Sequence, residues 1–135
     1  MTSRFFGVEV GDASEFCERL VASSLISPSR FGELLAEYSA AYSEASSRST
    51  RTLSEFLIAN RIITRWQVEK LLEGRYEGFF IDHYMLVGHV RAGEEYSTFA
   101  AIDTVTRQEV LIDVSPPLIV KGRRAATPRY RVRER

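Results

Sequence analysis

The stretch Leu20-Val21-Ala22-Ser23-Ser24-Leu25-Ile26-Ser27-Pro28 returns 37 residues later as Leu57-Ile58-Ala59-Asn60-Arg61-Ile62-Ile63-Thr64-Arg65. The match extends outward: Phe16 falls on Leu53, Phe31 on Val68, and Leu34-Leu35 on Leu71-Leu72. Each copy carries apolar residues at helical spacing, an apolar turn, then a second helical run. Ser27-Pro28 places a hydroxyl N-cap before a proline at the first helical position, where the missing N–H costs nothing. Thr64-Arg65-Trp66-Gln67 fits a capping box, with Gln67 reaching back to the cap amide. Gly74 is a candidate C-cap. Helices are predicted near 13–23, 28–44, 52–61 and 65–73, forming two hairpins that bury their apolar faces against each other. Between the copies, residues 43–50 (SEASSRST) are polar and aperiodic, and read as a flexible connector, with phosphorylation of its serines as the alternative.

From Phe79 the period changes to two. FFIDHYMLVGHV, YSTFAAID and QEVLIDV read as three strands, with RAGEE and TVTR as links short enough to require antiparallel order. After Pro116-Pro117, LIVKG offers a further short strand, and RYRVR alternates as a weaker edge-strand candidate whose charge favours water. The predicted class is α+β. A helical-hairpin repeat module fills residues 1–78, a small antiparallel sheet 79–120, and a basic tail 121–135.

Charge sharpens that division. The 135 residues sum to a formal zero, but 121–135 carry seven basic side chains against Glu134, a net of +6, and residues 1–120 carry −6. The tail is expected to grip an acidic surface, its own body included. Gripping nucleic acid through Arg123, Arg124, Arg129, Arg131 and Arg133, with Tyr130 stacking, is the alternative. Thr127, preceded by arginines and followed by proline, is a candidate kinase substrate. Cys17 has no second cysteine and reads as a small buried hydrophobe. With no apolar run of spanning length and no signal-like start, the expectation is a cytoplasmic protein without a membrane anchor, cofactor or metal.

The run Ile62-Ile63-Thr64-Arg65-Trp66-Gln67-Val68-Glu69-Lys70-Leu71-Leu72-Glu73-Gly74-Arg75-Tyr76-Glu77-Gly78-Phe79-Phe80 resembles the helical segment ahead of the catalytic domain in planctomycete-type serine/threonine protein kinases, of the form LLTxWQxxxLLxGxxxGFxL. Tyr84-Met85-Leu86, then Ala100 to Thr106, then Val110 to Pro117 resemble the first strands of the kinase N-lobe. The resemblance spans about residues 52–117 and implies a glycine-rich phosphate loop and a third-strand lysine. The loop positions here read Arg91-Ala92-Gly93-Glu94-Glu95-Tyr96, and the lysine position is Asp113. Two carboxylates where phosphate would sit, and a reversed charge at the lysine, argue against ATP binding and phosphotransfer. A catalytic loop and a metal-binding aspartate are not expected in the residues after Pro117.

The expected function is therefore a non-catalytic interaction or regulatory module with a protein partner, a kinase-family protein by resemblance. A kinase-related nucleotide-binding fragment and a basic-tailed nucleic-acid binder are the alternatives. His83 and His89, with Asp82 and Asp103 nearby in sequence, read as surface residues of the first strand. Trp66 is assigned to the core. Phe79 and Phe80 are neighbours on a strand and must point to opposite faces, so one of them is a candidate contact.

Overall fold

The computed structural model describes residues 4–115, 119–120, 123–124 and 129–135, with only the backbone of 119–120 and 123–124 described. The chain forms two compact units, residues 1–79 and 80–135.

The first unit opens with a hairpin, β1 (Arg4–Phe5) against β2 (Val8–Glu9). Phe6 and Gly7 both adopt positive φ, the geometry of a tight two-residue turn. Then come α1 (Ser14–Ala22), α2 (Pro28–Ala41), α3 (Thr50–Ala59) and α4 (Arg65–Leu72). Their starts follow from capping. The Ser27 hydroxyl accepts from Arg30 N, and at Thr64 the two halves of a capping box close, Gln67 N donating to Thr64 Oγ1 and Thr64 N to Gln67 Oε1. Equivalent turns share backbone geometry: Ser24 and Arg61, 37 positions apart, take φ of 64° and 59°. The core joins Phe16, Leu20, Phe31, Leu34, Leu35, Leu53, Leu57 and Leu71 with Tyr38, whose hydroxyl bonds to Thr52 Oγ1 at 2.7 Å. Trp66 is half-buried and packs edge-on against Phe79 at 5.9 Å between ring centroids.

The serine-rich segment differs from the flexible connector expected of it. Ala45–Ser47 form a short 3-10 turn, and Arg48 donates to three backbone carbonyls, those of Tyr42, Ser39 and Glu9. The end of a helix leaves carbonyls without intrahelical donors, and one guanidinium with five N–H groups satisfies several at once. Ser49 caps α3 two residues earlier than predicted, its hydroxyl accepting from Thr52 N. Gly11 passes so close to this segment that a Cβ there would lie 2.3 Å from Arg48 O.

The second unit is a curled antiparallel sheet in the order β3 (Phe80–Ile81), β4 (Tyr84–Arg91), β5 (Ser97–Asp103), β6 (Glu109–Ser115) and, beyond a small pair β7 (Ile119–Val120) and β8 (Arg123–Arg124), β9 (Arg129–Glu134). Two register shifts in β4, between Leu86 and Gly88 and between His89 and Arg91, bend it. The curl brings the sheet's two ends together: the Tyr130 hydroxyl in β9 donates to Asp82 in the β3–β4 turn, and the rings of Tyr84 and Tyr130 meet edge-on. One face carries Leu86, Ala101, Val110, Ile112 and Val132, which the pairing register places side by side.

Within the segment read as a basic tail, the weaker edge-strand candidate forms the final strand. Arg129 to Glu134 pair with β6 over six residues. The alternation of RYRVR was sufficient for a strand because a buried carboxylate on β6 supplies its arginines with a partner. Pro116-Pro117, Lys121 and Thr127 lie outside the described residues. Among the described residues, no helix is long and apolar enough to cross a membrane.

Candidate functional site

The register builds three rows across β5, β6 and β9 on the face opposite the apolar one. Asp113 sits between Thr98 and Arg131, Leu111 between Ala100 and Arg133, and Ser115 pairs with Arg129, with Tyr96 just before β5 on the same side. Alternation along each strand brings these side chains together, since every second residue shares a face.

Asp113 is the centre of the group. Its side chain is 5% accessible, and four donors converge on its two oxygens. Thr98 Oγ1 donates to Oδ1 at 2.7 Å, Arg133 Nη2 to Oδ1 at 2.9 Å, Arg133 Nε to Oδ2 at 2.8 Å and Arg131 Nη2 to Oδ2 at 2.9 Å. The Arg133 pair is a two-point fork. Hydrogen bonds from Arg133, then Arg131, then Thr98 to the charged form hold the Asp113 carboxyl well below the usual carboxylate range. The two arginines reach it from outside, with side chains 68% and 45% accessible, so each retains N–H groups turned to solvent.

Beside this clamp lies a cavity of about 310 Å³, lined by Tyr96, Asp113, Ser115, Arg129, Tyr130 and Arg131. Tyr96, Ser115 and Arg129 make no side-chain hydrogen bond or ion pair among the described residues.

The loop between β4 and β5 carries the remaining residues singled out by resemblance. Arg91, Gly93, Glu94 and Glu95 are exposed and, with Tyr96, border a second cavity of about 440 Å³. A Cβ on Gly93 would fall 2.5 Å from Tyr96 O, so the closeness of the loop to its own backbone accounts for glycine there. Arg91, the last residue of β4, pairs in register with Thr98, which pairs with Asp113, so it lies in the same row as the clamp, one strand beyond Thr98.

Of the two phenylalanines, Phe79 is 2% accessible in the core of the first unit and Phe80 is 37% accessible. Arg123 and Arg124 form β8, and only their backbone is described. His83 Nε2 stands 3.5 Å from Asp103 Oδ2, and Asp103 also accepts from the amides of Val105 and Thr106 in the β5–β6 turn. His89 stacks on Phe99 at 4.9 Å. These two histidines do not converge on a shared partner among the described residues.

The Asp113 clamp was not recognisable from sequence as a cluster. The signal lay in the basic alternation of 129–133 together with a lone acid inside the apolar run VLIDV. Compared with family models, curated proteins and solved structures, the chain matches none.

Proposed function

We propose that the chain is a non-catalytic interaction or regulatory module that binds another protein in the cytoplasm. The observation that carries this reading is the Asp113 clamp. At the position where a kinase-like third strand would present a lysine to nucleotide phosphates, this chain has a carboxylate whose oxygens are occupied by Thr98, Arg131 and Arg133. A group so engaged holds strands together and is not free to bind a phosphate. Glu94 and Glu95 on the neighbouring loop add negative charge beside the place a nucleotide would need positive. The two helical hairpins, with their shared 37-residue spacing of caps and turns, are read as copies of one unit. The resemblance of the helical segment and sheet to a kinase front end makes a kinase-family protein the favoured partner.

The experiment pairs nucleotide with partner. Millimolar Mg-ATP is expected to leave the melting temperature unchanged, and the chain to transfer no phosphate to general kinase substrates, while a protein partner co-purifies. A reproducible rise of several degrees with Mg-ATP, or phosphotransfer by the purified chain, would overturn the reading.

A further inference from the structure

The clamp leaves an imbalance. Arg131 and Arg133 bring two positive charges to the single negative charge of Asp113, and Arg129, two residues along the same face of β9, adds a third. Among the described residues the acidic side chain of the cavity lining is Asp113, whose oxygens are already bonded, while Glu94 and Glu95 precede the lining residue Tyr96 on its loop. The charged groups of the lining, Arg129 and Arg131 against Asp113, sum to a net of +1. The cavity also holds two hydroxyl groups, on Tyr96 and Ser115, that make no side-chain hydrogen bond among the described residues.

We propose that the Tyr96–Ser115–Arg129 row, with Arg131 beside it, is a binding pocket for a dianionic phosphate monoester carried on a phosphorylated side chain of a protein partner. The donor set decides the ligand class. The Arg129 guanidinium, the N–H groups of Arg131 that Asp113 leaves open and two hydroxyls offer more donors than a carboxylate's two oxygens can accept, whereas a phosphate monoester presents three terminal oxygens. A volume of about 310 Å³ admits one phosphorylated side chain. Asp113 contributes without touching the ligand: it fixes Arg131 in the wall of the cavity. The protein source of the phosphate rests on the interaction-module reading, while the pocket itself rests on the geometry of the row.

Titration of the isotope-labelled full chain with inorganic phosphate, N-acetyl-O-phosphoserine amide, N-acetylserine amide and a short single-stranded oligonucleotide tests the proposal. The phosphoserine compound is expected to shift the amides of Tyr96, Ser115 and Arg129, and to bind more tightly than inorganic phosphate. Arg129→Gln and Ser115→Ala should keep the wild-type melting temperature, and Arg129→Gln should weaken binding by roughly tenfold, the loss of one charge-assisted hydrogen bond. The pocket is overturned if Arg129→Gln binds the phosphoserine compound as the wild type does, or if N-acetylserine amide binds equally. Tighter binding of inorganic phosphate overturns the side-chain source, and preferential binding of the oligonucleotide overturns the protein partner. Co-purification of a protein whose capture survives Arg129→Gln leaves the module reading standing and removes this pocket. Phosphotransfer by the chain with phosphoserine still seated at Arg129 does the reverse.

Discussion

Arg133 grips Asp113 at two points, Nε on one carboxylate oxygen at 2.8 Å and Nη2 on the other at 2.9 Å, across neighbouring strands whose Cα partners are Leu111 with Arg133 and Asp113 with Arg131. The contact is diagonal, so one arginine ties two rows of the sheet and fixes the register of β9. A slip by one residue would turn all three arginines to the apolar face.

Asp113→Lys is therefore expected to release the last strand, by setting a third cation against Arg131 and Arg133. Asp113→Asn should be milder, since an amide still accepts from one side. Hydrogen exchange reads the outcome: amides of β6 and β9 lose protection in the order Lys, then Asn, while α1 to α4 keep theirs. Unchanged protection in β9 of the lysine variant would contradict the clamp.

The same residue sets an acid limit on the sheet. In the unfolded chain an aspartate titrates near roughly 3.9, and in the folded sheet Asp113 lies well below that. A lowered folded-state pKa contributes stability that is fully present above the unfolded value and is lost as pH falls from there towards the folded value. Asp12 and Asp103 are lowered as well, so the informative quantity is the difference between wild type and Asp113→Asn. That difference in melting temperature should hold from pH 7 to about 4.5 and shrink below about 4; a difference that stays constant down to pH 2.5 counts against it.

Arg48→Ala should destabilise the helical unit by about 2 kcal/mol, because three carbonyls in partly buried positions lose their donor. Urea unfolding followed by circular dichroism at the helical band measures this. A flexible connector would show no change.

Leu71 is fully buried, and Leu71→Ala is expected to cost roughly 2–5 kcal/mol through the cavity it leaves. Thr64→Ala removes only one half of a capping box and should cost about 1 kcal/mol. The reverse ranking in urea would contradict the burial of α4.

Cys17 is buried, and burial first, then the neighbouring charge of Glu18, pushes its thiol up to about 12. Because the thiolate is the reactive form, Cys17 should resist a disulfide reagent in the native chain and react stoichiometrically in denaturant. Rapid labelling of the native chain would place Cys17 at the surface.

The helices were legible because their signals are local. Ser27-Pro28 and the Thr64–Gln67 box mark their own positions without reference to any distant residue, and the apolar spacing of 16–35 and 53–72 fixes the faces. The opening hairpin went unread: two-residue strands give no alternation to count, and only Phe6-Gly7 hints at the turn. Arg48 was masked by its serine-rich surroundings, since its three acceptors come from residues 9, 39 and 42, a set that sequence distance does not disclose. Asp113 showed only as a sign reversal. Its partners lie 15, 18 and 20 residues away, on strands whose register had to be known before the group existed.

Beyond its place in the finished sheet, β9 has a bearing on how the sheet is made. A chain that leaves the ribosome amino end first presents β4, β5 and β6 while the arginines of β9 are still to come. During that interval the Asp113 carboxylate has only Thr98, and the outer edge of β6 offers unpaired backbone groups to any extended chain nearby. At synthesis rates of about 5–20 residues per second, the stretch from Ser115 to Glu134 keeps that edge open for roughly one to four seconds. The arginine strand thus doubles as a clock: until it arrives, the nascent sheet is at its most exposed to mispairing with neighbouring copies, and a holding chaperone or slower translation has its largest effect there.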